Sequence, residues 1–135
     1  MAGILTAPLD VERLLVGLLD PASNAAPVRN VKPEQVAPYR CSVIRADLLN
    51  RVTPLSRYCR IGVQGWAVRA DGSADLAAAH NLATEVAGAI ERHAGTGWLL
   101  AAQIDAGPYR VADSITGIEY AYATVLAEVL TAPVN

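Results

Sequence analysis

The chain has 135 residues, enough for one domain that folds around a single core without disulfide or metal support. Hydrophobic residues make up 53% of it and charged residues only 18%, which leaves more apolar surface than a lone domain easily buries and favours self-association or a large partner. No apolar run is long enough to span a membrane, and Met1–Leu5 lacks the basic start of a secretory signal, so we expect a soluble protein made in the cytosol.

The first predicted element is a short helix over residues 10–19. Asp10 is a good N-cap, and the apolar residues that follow have the spacing of one helical face: Val11, Leu14, Leu15, Leu18 and Leu19. Pro21 ends this helix, and the proline-rich connection over residues 20–38 is expected to be extended or loop-like. Residues 39–130 then form the sheet-and-helix core of a single domain that takes in the whole chain, residues 1–135.

Two strands are predicted next. Residues 40–45 alternate weakly, whereas residues 58–67 alternate clearly and have one apolar face. The apolar face carries Cys59, Ile61, Val63 and Ala67, and the other face carries Tyr58, Arg60, Gln64 and Trp66. Between these strands Asp47 and Pro54 interrupt the pattern, so residues 46–56 are interpreted as an 11-residue loop, and a loop of that length usually has a function.

A long amphipathic helix is predicted from Ser73 to His93, with Ser73 as its cap and Asp75 in its first turn. Its buried stripe is rich in alanine and consists of Leu76, Ala79, Ala83, Val86, Ala87, Ile90 and Ala94. Because these side chains are small, the helix can approach a sheet closely.

The C-terminal part is predicted to form three strands. Residues 98–104 are almost unbroken apolar sequence, typical of a central strand covered on both faces. Residues 109–112 form a short strand, and residues 118–130 alternate as one long strand with a small-residue face. We match that face to the alanine stripe, so that the helix lies over Ala123 and Val125.

Tyr120 and Tyr122 then face away from the long helix. They either pack under the N-terminal helix or are offered to another subunit, and we expect packing within the fold. The predicted fold class is therefore α/β of the α+β type. It has a mixed, mainly antiparallel sheet of about four to five strands, packed by one long helix and a short N-terminal helix.

The net charge of −2 conceals a segregation of charge along the chain. Residues 39–69 hold six arginines against one acid, whereas residues 70–135 hold two arginines against eight acids. Opposite charges in separate segments suit head-to-tail association of identical subunits, in which one surface meets a different surface of the neighbour. Pairing of the same charges within one subunit is the alternative.

No nucleotide-binding, nucleophile-elbow or metal-binding motif is present. Cys41 and Cys59 are expected to be free thiols, although a cross-strand pair is conceivable, and His80 and His93 lack the spacing of a zinc site. We therefore expect no catalytic residue, no cofactor, no metal and no enzymatic activity. The sequence pI of 5.6 and the lack of an aromatic-basic pattern also argue against specific nucleic-acid binding.

The order of elements from Arg57 onward resembles the tail terminator (tail completion) proteins of long-tailed bacteriophages. The likeness covers roughly residues 28–130. It is carried by the strand Tyr58–Trp66, by the helix opening Ser73–Ala77 with Asn81–Ala83, by Gly107–Asp113 and by Thr116–Tyr120.

This resemblance implies a structural virion protein at the head-proximal end of the tail, assembled in the host cytoplasm. Six copies would form a ring that caps the tail tube, ends its polymerisation and presents a surface for head joining. The implied partners are further copies of the chain, the tail tube protein and the head-to-tail connector or adaptor, with DNA passing through the ring and no membrane involved.

Within this interpretation, the residues expected to contact the tube or a neighbouring subunit lie in or next to the predicted loop over residues 46–56. They are Arg45, Asp47, Asn50, Arg51, Arg57 and Arg60. Two alternatives stay open: a head-to-tail adaptor or connector of the neck, and a small ligand-binding or catalytic α/β domain.

Overall fold

The computed structural model describes residues 6–8, 10–20, 27–29 and 36–133. In chain order the elements are β1 (Thr6–Pro8), α1 (Val11–Leu19), β2 (Val28–Arg29), β3 (Tyr39–Thr53), β4 (Ser56–Val68), α2 (Leu76–His93), β5 (Leu99–Ala112) and β6 (Glu119–Pro133). Much of the predicted proline-rich connection over residues 20–38 lies outside the described residues.

The strands form one six-stranded sheet in which β6 pairs with both β4 and β5, and β4 continues to β3 and β2. The short β1 pairs with the end of β6. Only the β2–β3 pair is parallel, and all other pairs are antiparallel. The predicted α+β class, with a mixed and mainly antiparallel sheet, one long helix and a short N-terminal helix, is confirmed.

The two helices begin at aspartates. Asp10 caps α1 by accepting a hydrogen bond from the Arg13 backbone N–H, as predicted. Asp75 caps α2 by accepting from the Ala78 backbone N–H, so the predicted cap at Ser73 is wrong. Ser73 instead closes the preceding turn, because both its backbone N–H and its hydroxyl donate to Asp71 Oδ1, at 2.9 and 2.6 Å.

Both helices lie on the same side of the sheet. Their buried residues share one core cluster with the inward residues of β4 and β6, and this cluster includes Ala123 and Val125 as predicted. The alanine stripe brings α2 so close to β4 that a methyl group added to Gly65 would overlap the carbonyl oxygen of Ala79. The close helix–sheet contact expected from the small side chains is therefore present.

The predicted loop over residues 46–56 is wrong. β3 continues to Thr53, the chain turns at Pro54-Leu55, and β4 begins at Ser56. Ala46 and Leu48 pack against the core while Asp47 between them points to the other face, so the segment is an alternating strand. Two register shifts near its end accommodate the residues that break the alternation.

The prediction for the strands before β6 is also wrong in two respects. β5 is one continuous strand from Leu99 to Ala112, and among the described residues it pairs with β6 alone. It is therefore an edge strand, with most of its side chains exposed, and not a central strand. Gly107 and Pro108 sit within a register shift, where the missing N–H of proline costs no ladder hydrogen bond.

Candidate functional surface

The sheet has an open face, defined as the side opposite α1 and α2. Register aligns the side chains of β3, β4, β6 and β5 across this face in rows; one row, for example, runs from Asp47 through Arg60 and Leu126 to Gln103. No helix among the described residues covers this face. This face is therefore available for contact with other molecules.

One half of the open face is closed by aromatic packing. Trp66 is 1% exposed and stacks on Tyr120 with ring centroids 4.4 Å apart, and Cys41 and Val43 are buried beside them. The predicted packing of Tyr120 under the N-terminal helix is wrong, because α1 lies on the opposite side of the sheet. Packing of this tyrosine within the fold is nevertheless confirmed.

The other half of the open face is exposed, and we call it the open patch. It consists of Arg45, Asp47, Tyr58, Arg60, Ala101, Gln103, Ala106 and Leu126, together with the half-buried Glu128, which lies in register between Tyr58 and Ala101. Tyr58 is 43% exposed and Leu126 39% exposed, so two large apolar side chains face solvent near the centre of the patch. The alanines of β5 beside them project little from the sheet, so this side of the patch is flat and suits a broad contact.

The six predicted interface residues lie in different parts of the structure. Arg45, Asp47 and Arg60 belong to the open patch. Arg57 lies two residues before the core residue Cys59 in β4, so its side chain points to the helix side of the sheet. Its guanidinium donates to the Leu49 carbonyl oxygen from Nε at 3.1 Å and from Nη2 at 2.9 Å, beside the register shift in β3. Arg57 therefore supports the hairpin.

The remaining two predicted residues, Asn50 and Arg51, are exposed on β3 near the tip of the hairpin. Arg51 lies opposite Arg57 in register. The hydrophobic side of the open patch, Tyr58 with Leu126, was not among the predicted contacts. Their alternation in β4 and β6 was the signal that could have identified them.

The segregated charges are partly paired within the subunit. Asp75 lies 3.9 Å from Arg40 and 3.7 Å from Arg69, so two arginines of the basic segment face one acid of the acidic segment. Arg60 and Arg51 make no ion pair with any residue that the structure describes. Intramolecular pairing therefore accounts for only part of the segregation, and association remains a prediction.

A pocket of about 300 Å³ lies at the N-terminal end of α2. Its charged lining residues are Arg40, Arg69 and Asp75. Arg69 donates to the Ala74 carbonyl at 2.8 Å, and Asp75 caps the helix, so these groups already hold the chain in place. Over the described parts of the chain, no cluster of three or more metal-ligating side chains occurs.

The free edges of the sheet are each bound by a glutamate from a helix. On β3, the Ala46 N–H donates to Glu12 Oε2 of α1 at 2.9 Å. On β5, the Ile104 N–H donates to Glu91 Oε2 of α2, also at 2.9 Å. The sequence carries no local signal for these contacts, since each joins residues from separate elements.

The two cysteines are free, as predicted, and both are buried. They lie on opposite sides of the sheet, Cys41 beside Trp66 and Cys59 in the core under the helices. Burial raises the pKa of Cys59 from its ordinary 9.0 to about 11, with the nearby carboxylates of Asp47 and Glu12 acting in the same direction and Arg57 against them.

This raised pKa predicts a loss of stability in alkali. Because the folded pKa lies above the unfolded one, the contribution of Cys59 is complete below about pH 9 and is lost as pH rises towards about 11. At about 1.4 kcal/mol per pH unit, the loss is on the order of 2–3 kcal/mol. Urea unfolding across this range should show a smaller loss for Cys59→Ala than for the wild type, and equal losses would contradict the assignment.

Comparison with protein-family models, with curated protein sequences and with solved structures found no match to this chain. Within the described residues, neither helix has both the length and the apolar character needed to cross a membrane.

Proposed function

We propose that this chain is a structural virion protein, a tail terminator whose ring caps the tail tube of a long-tailed bacteriophage. The observation that carries the proposal is the one-sided architecture: both helices cover one face of the sheet, while Tyr58 and Leu126 lie exposed on the other. Exposed apolar groups on a broad, rigid surface are typical of protein–protein contact. Arg69 and Asp75, which line the pocket at the start of α2, already hold the chain in place through hydrogen bonds within the fold.

The segments that carry the resemblance support the proposal by forming one continuous unit. The strand Tyr58–Trp66 lies within β4, and the helix opening at Ser73–Ala77 leads into α2. Gly107–Asp113 and Thr116–Tyr120 belong to the β5–β6 hairpin, and β6 returns to pair with β4. The pattern read from the sequence thus corresponds to a β–α–β–β unit made of β4, α2, β5 and β6.

The proposed mechanism is steric. A ring of six copies binds the last ring of tube subunits, covers the surface onto which another would add, and offers a different surface to the head connector or adaptor. DNA passes through the ring without sequence-specific recognition. The protein has no enzymatic role and needs no cofactor, and its place is the head-proximal end of the tail, after assembly in the host cytoplasm.

Purified components test capping directly. Tube protein that is polymerising in solution should stop elongating when this protein is added at about one ring per tube end, because capping needs end occupancy only. Gold-labelled protein should mark a single end of each tube in electron micrographs. Elongation that continues unchanged, with no label at the ends, would contradict the proposal.

A further inference from the structure

The edge strand β5 begins with a stretch that is prone to pair with other strands. Leu99–Ile104 contains no charge, no proline and no glycine, and Gln103 is its only polar side chain. Short apolar segments of this kind are aggregation sites when they lie on an exposed sheet edge. Leu100 is 39% exposed, so part of this apolar sequence already faces solvent. A fold that keeps the stretch at an edge needs a feature that blocks it.

The backbone of this stretch is regular enough to accept another strand. Ala101 to Ile104 pair one to one with residues 125–128 of β6, without a register shift. On its other side β5 has no strand neighbour among the described residues. The Ile104 N–H points to that free side, and because backbone groups alternate along a strand, the Ala102 N–H points there too.

Glu91 of α2 occupies one of these backbone positions. Its Oε2 accepts the Ile104 N–H at 2.9 Å, the length of a ladder hydrogen bond, so the carboxylate stands where the carbonyl oxygen of an added strand would lie. A carboxylate accepts hydrogen bonds and cannot donate them, so it offers no donor to an approaching strand. Glu91 is half-buried near the C-terminal end of an 18-residue helix, which holds it at the edge.

The other free edge of the sheet has the same type of contact. On β3, Glu12 of α1 accepts the Ala46 N–H at 2.9 Å, so two different helices each direct a glutamate at an edge N–H. The β3 edge also carries the exposed charges of Arg45 and Asp47, which disfavour strand pairing by themselves. The start of β5 has no such charges and therefore depends more on its glutamate.

We propose that Glu91 is an edge guard, a side chain whose carboxylate blocks the addition of an extended segment of another protein molecule to β5 at Leu99–Ile104. Register shifts and Pro108 interrupt the middle of β5, so they leave the apolar start of the strand without protection of its own. The inference does not depend on the proposed function, because it concerns how the free chain avoids aggregation before it meets any partner.

Hydrogen exchange of single amides, followed by NMR, tests the contact. In Glu91→Ala the Ile104 amide should exchange roughly tenfold faster or more, the effect of losing a hydrogen bond to a charged group. Glu91→Gln should keep most of the protection, because its side-chain carbonyl still accepts an N–H. Glu85→Ala is the matched control, since Glu85 is exposed on the same helix and has the same charge. Unchanged exchange at Ile104 in Glu91→Ala would contradict the contact.

Incubation of the folded proteins at high concentration, without denaturant, tests the guard itself. Glu91→Ala should lose most of its soluble protein over a period in which the wild type and Glu85→Ala lose none. Adding Ala101→Lys to Glu91→Ala should prevent this loss, because Ala101 is exposed on the same stretch and a lysine on a sheet edge disfavours strand pairing.

A further variant separates strand pairing from a general loss of stability. Ile90→Val removes one methylene from a fully buried core side chain and leaves the edge unchanged. Aggregation of Ile90→Val to the same extent as Glu91→Ala, or a failure of Ala101→Lys to prevent the loss, would show that unfolding is the cause and overturn the inference. So would a Glu91→Ala protein that exchanges faster at Ile104 but stays in solution, since Glu91 would then only support the contact between helix and sheet.

Discussion

Replacing Gly65 with valine is expected to lower the free energy of unfolding by about 3 kcal/mol or more, at the upper end of overpacking substitutions. A Cβ at this position would overlap the Ala79 carbonyl oxygen and lie 2.9 Å from the Ala83 backbone nitrogen. Both atoms belong to the backbone of α2 and cannot rotate away. The helix would have to move off the sheet, and the core beneath it would lose its packing.

The control for this substitution is Gly88→Ala, which lies in α2, the helix that packs over Gly65. Its new methyl group meets only the flexible end of Arg92, at 3.3 Å, and alanine is favoured over glycine in helices by up to ~1 kcal/mol. Chemical denaturation, followed by tryptophan emission, measures the free energy of unfolding of both variants. Gly65→Val within about 0.5 kcal/mol of wild type, the range of inert surface substitutions, would show that α2 does not rest on β4 as described.

Both helices and the two central strands could be predicted from the sequence, because each has a strong period. The spacing of apolar residues in α1 and α2 and their alternation in β4 and β6 each indicate a single buried face. An element with one buried face has a regular period of apolar residues in its sequence. The pairing of the alanine stripe with Ala123 and Val125 also followed, since small residues on two elements imply close approach. The cap of α2 was misplaced by two residues because Ser73 and Asp75 are both good caps.

The errors arose where pattern and environment diverge. The apolar run at the start of β5 was interpreted as central, but alanines there occupy an edge strand, and composition alone does not report the number of neighbouring strands. The hairpin over residues 46–56 was interpreted as a loop because Asp47 and Pro54 interrupt its apolar sequence. In the structure Asp47 faces the open side of a continuing strand, and Pro54 lies in the turn.

The candidate surface was only half predictable. Arg45, Asp47 and Arg60 were identified from charge and lie on the open patch, whereas Arg57 is used inside the hairpin. The side of the sheet that α1 covers is a tertiary property without a local signal, so the exposure of Tyr58 and Leu126 emerged only with the fold. The glutamates that bind the edge N–H groups are long-range contacts of the same kind.

The largest functional effect is expected from removing the protein during phage assembly. A terminator acts by covering the end of the tube, so without it tube subunits should keep adding beyond the normal length, and the overlong tubes should fail to join heads. A neck adaptor acts only between connector and tail, so its loss leaves tails of normal length that stay detached. Supplying the wild-type chain in trans should restore tails of normal length that join heads.

The distribution of tail lengths in electron micrographs of lysates that lack this protein tests the central claim most directly. The proposal predicts a broad distribution that extends far beyond the normal length, with no heads attached to the long tubes. Detached tails of uniform normal length would contradict the terminator assignment and point to an adaptor of the neck.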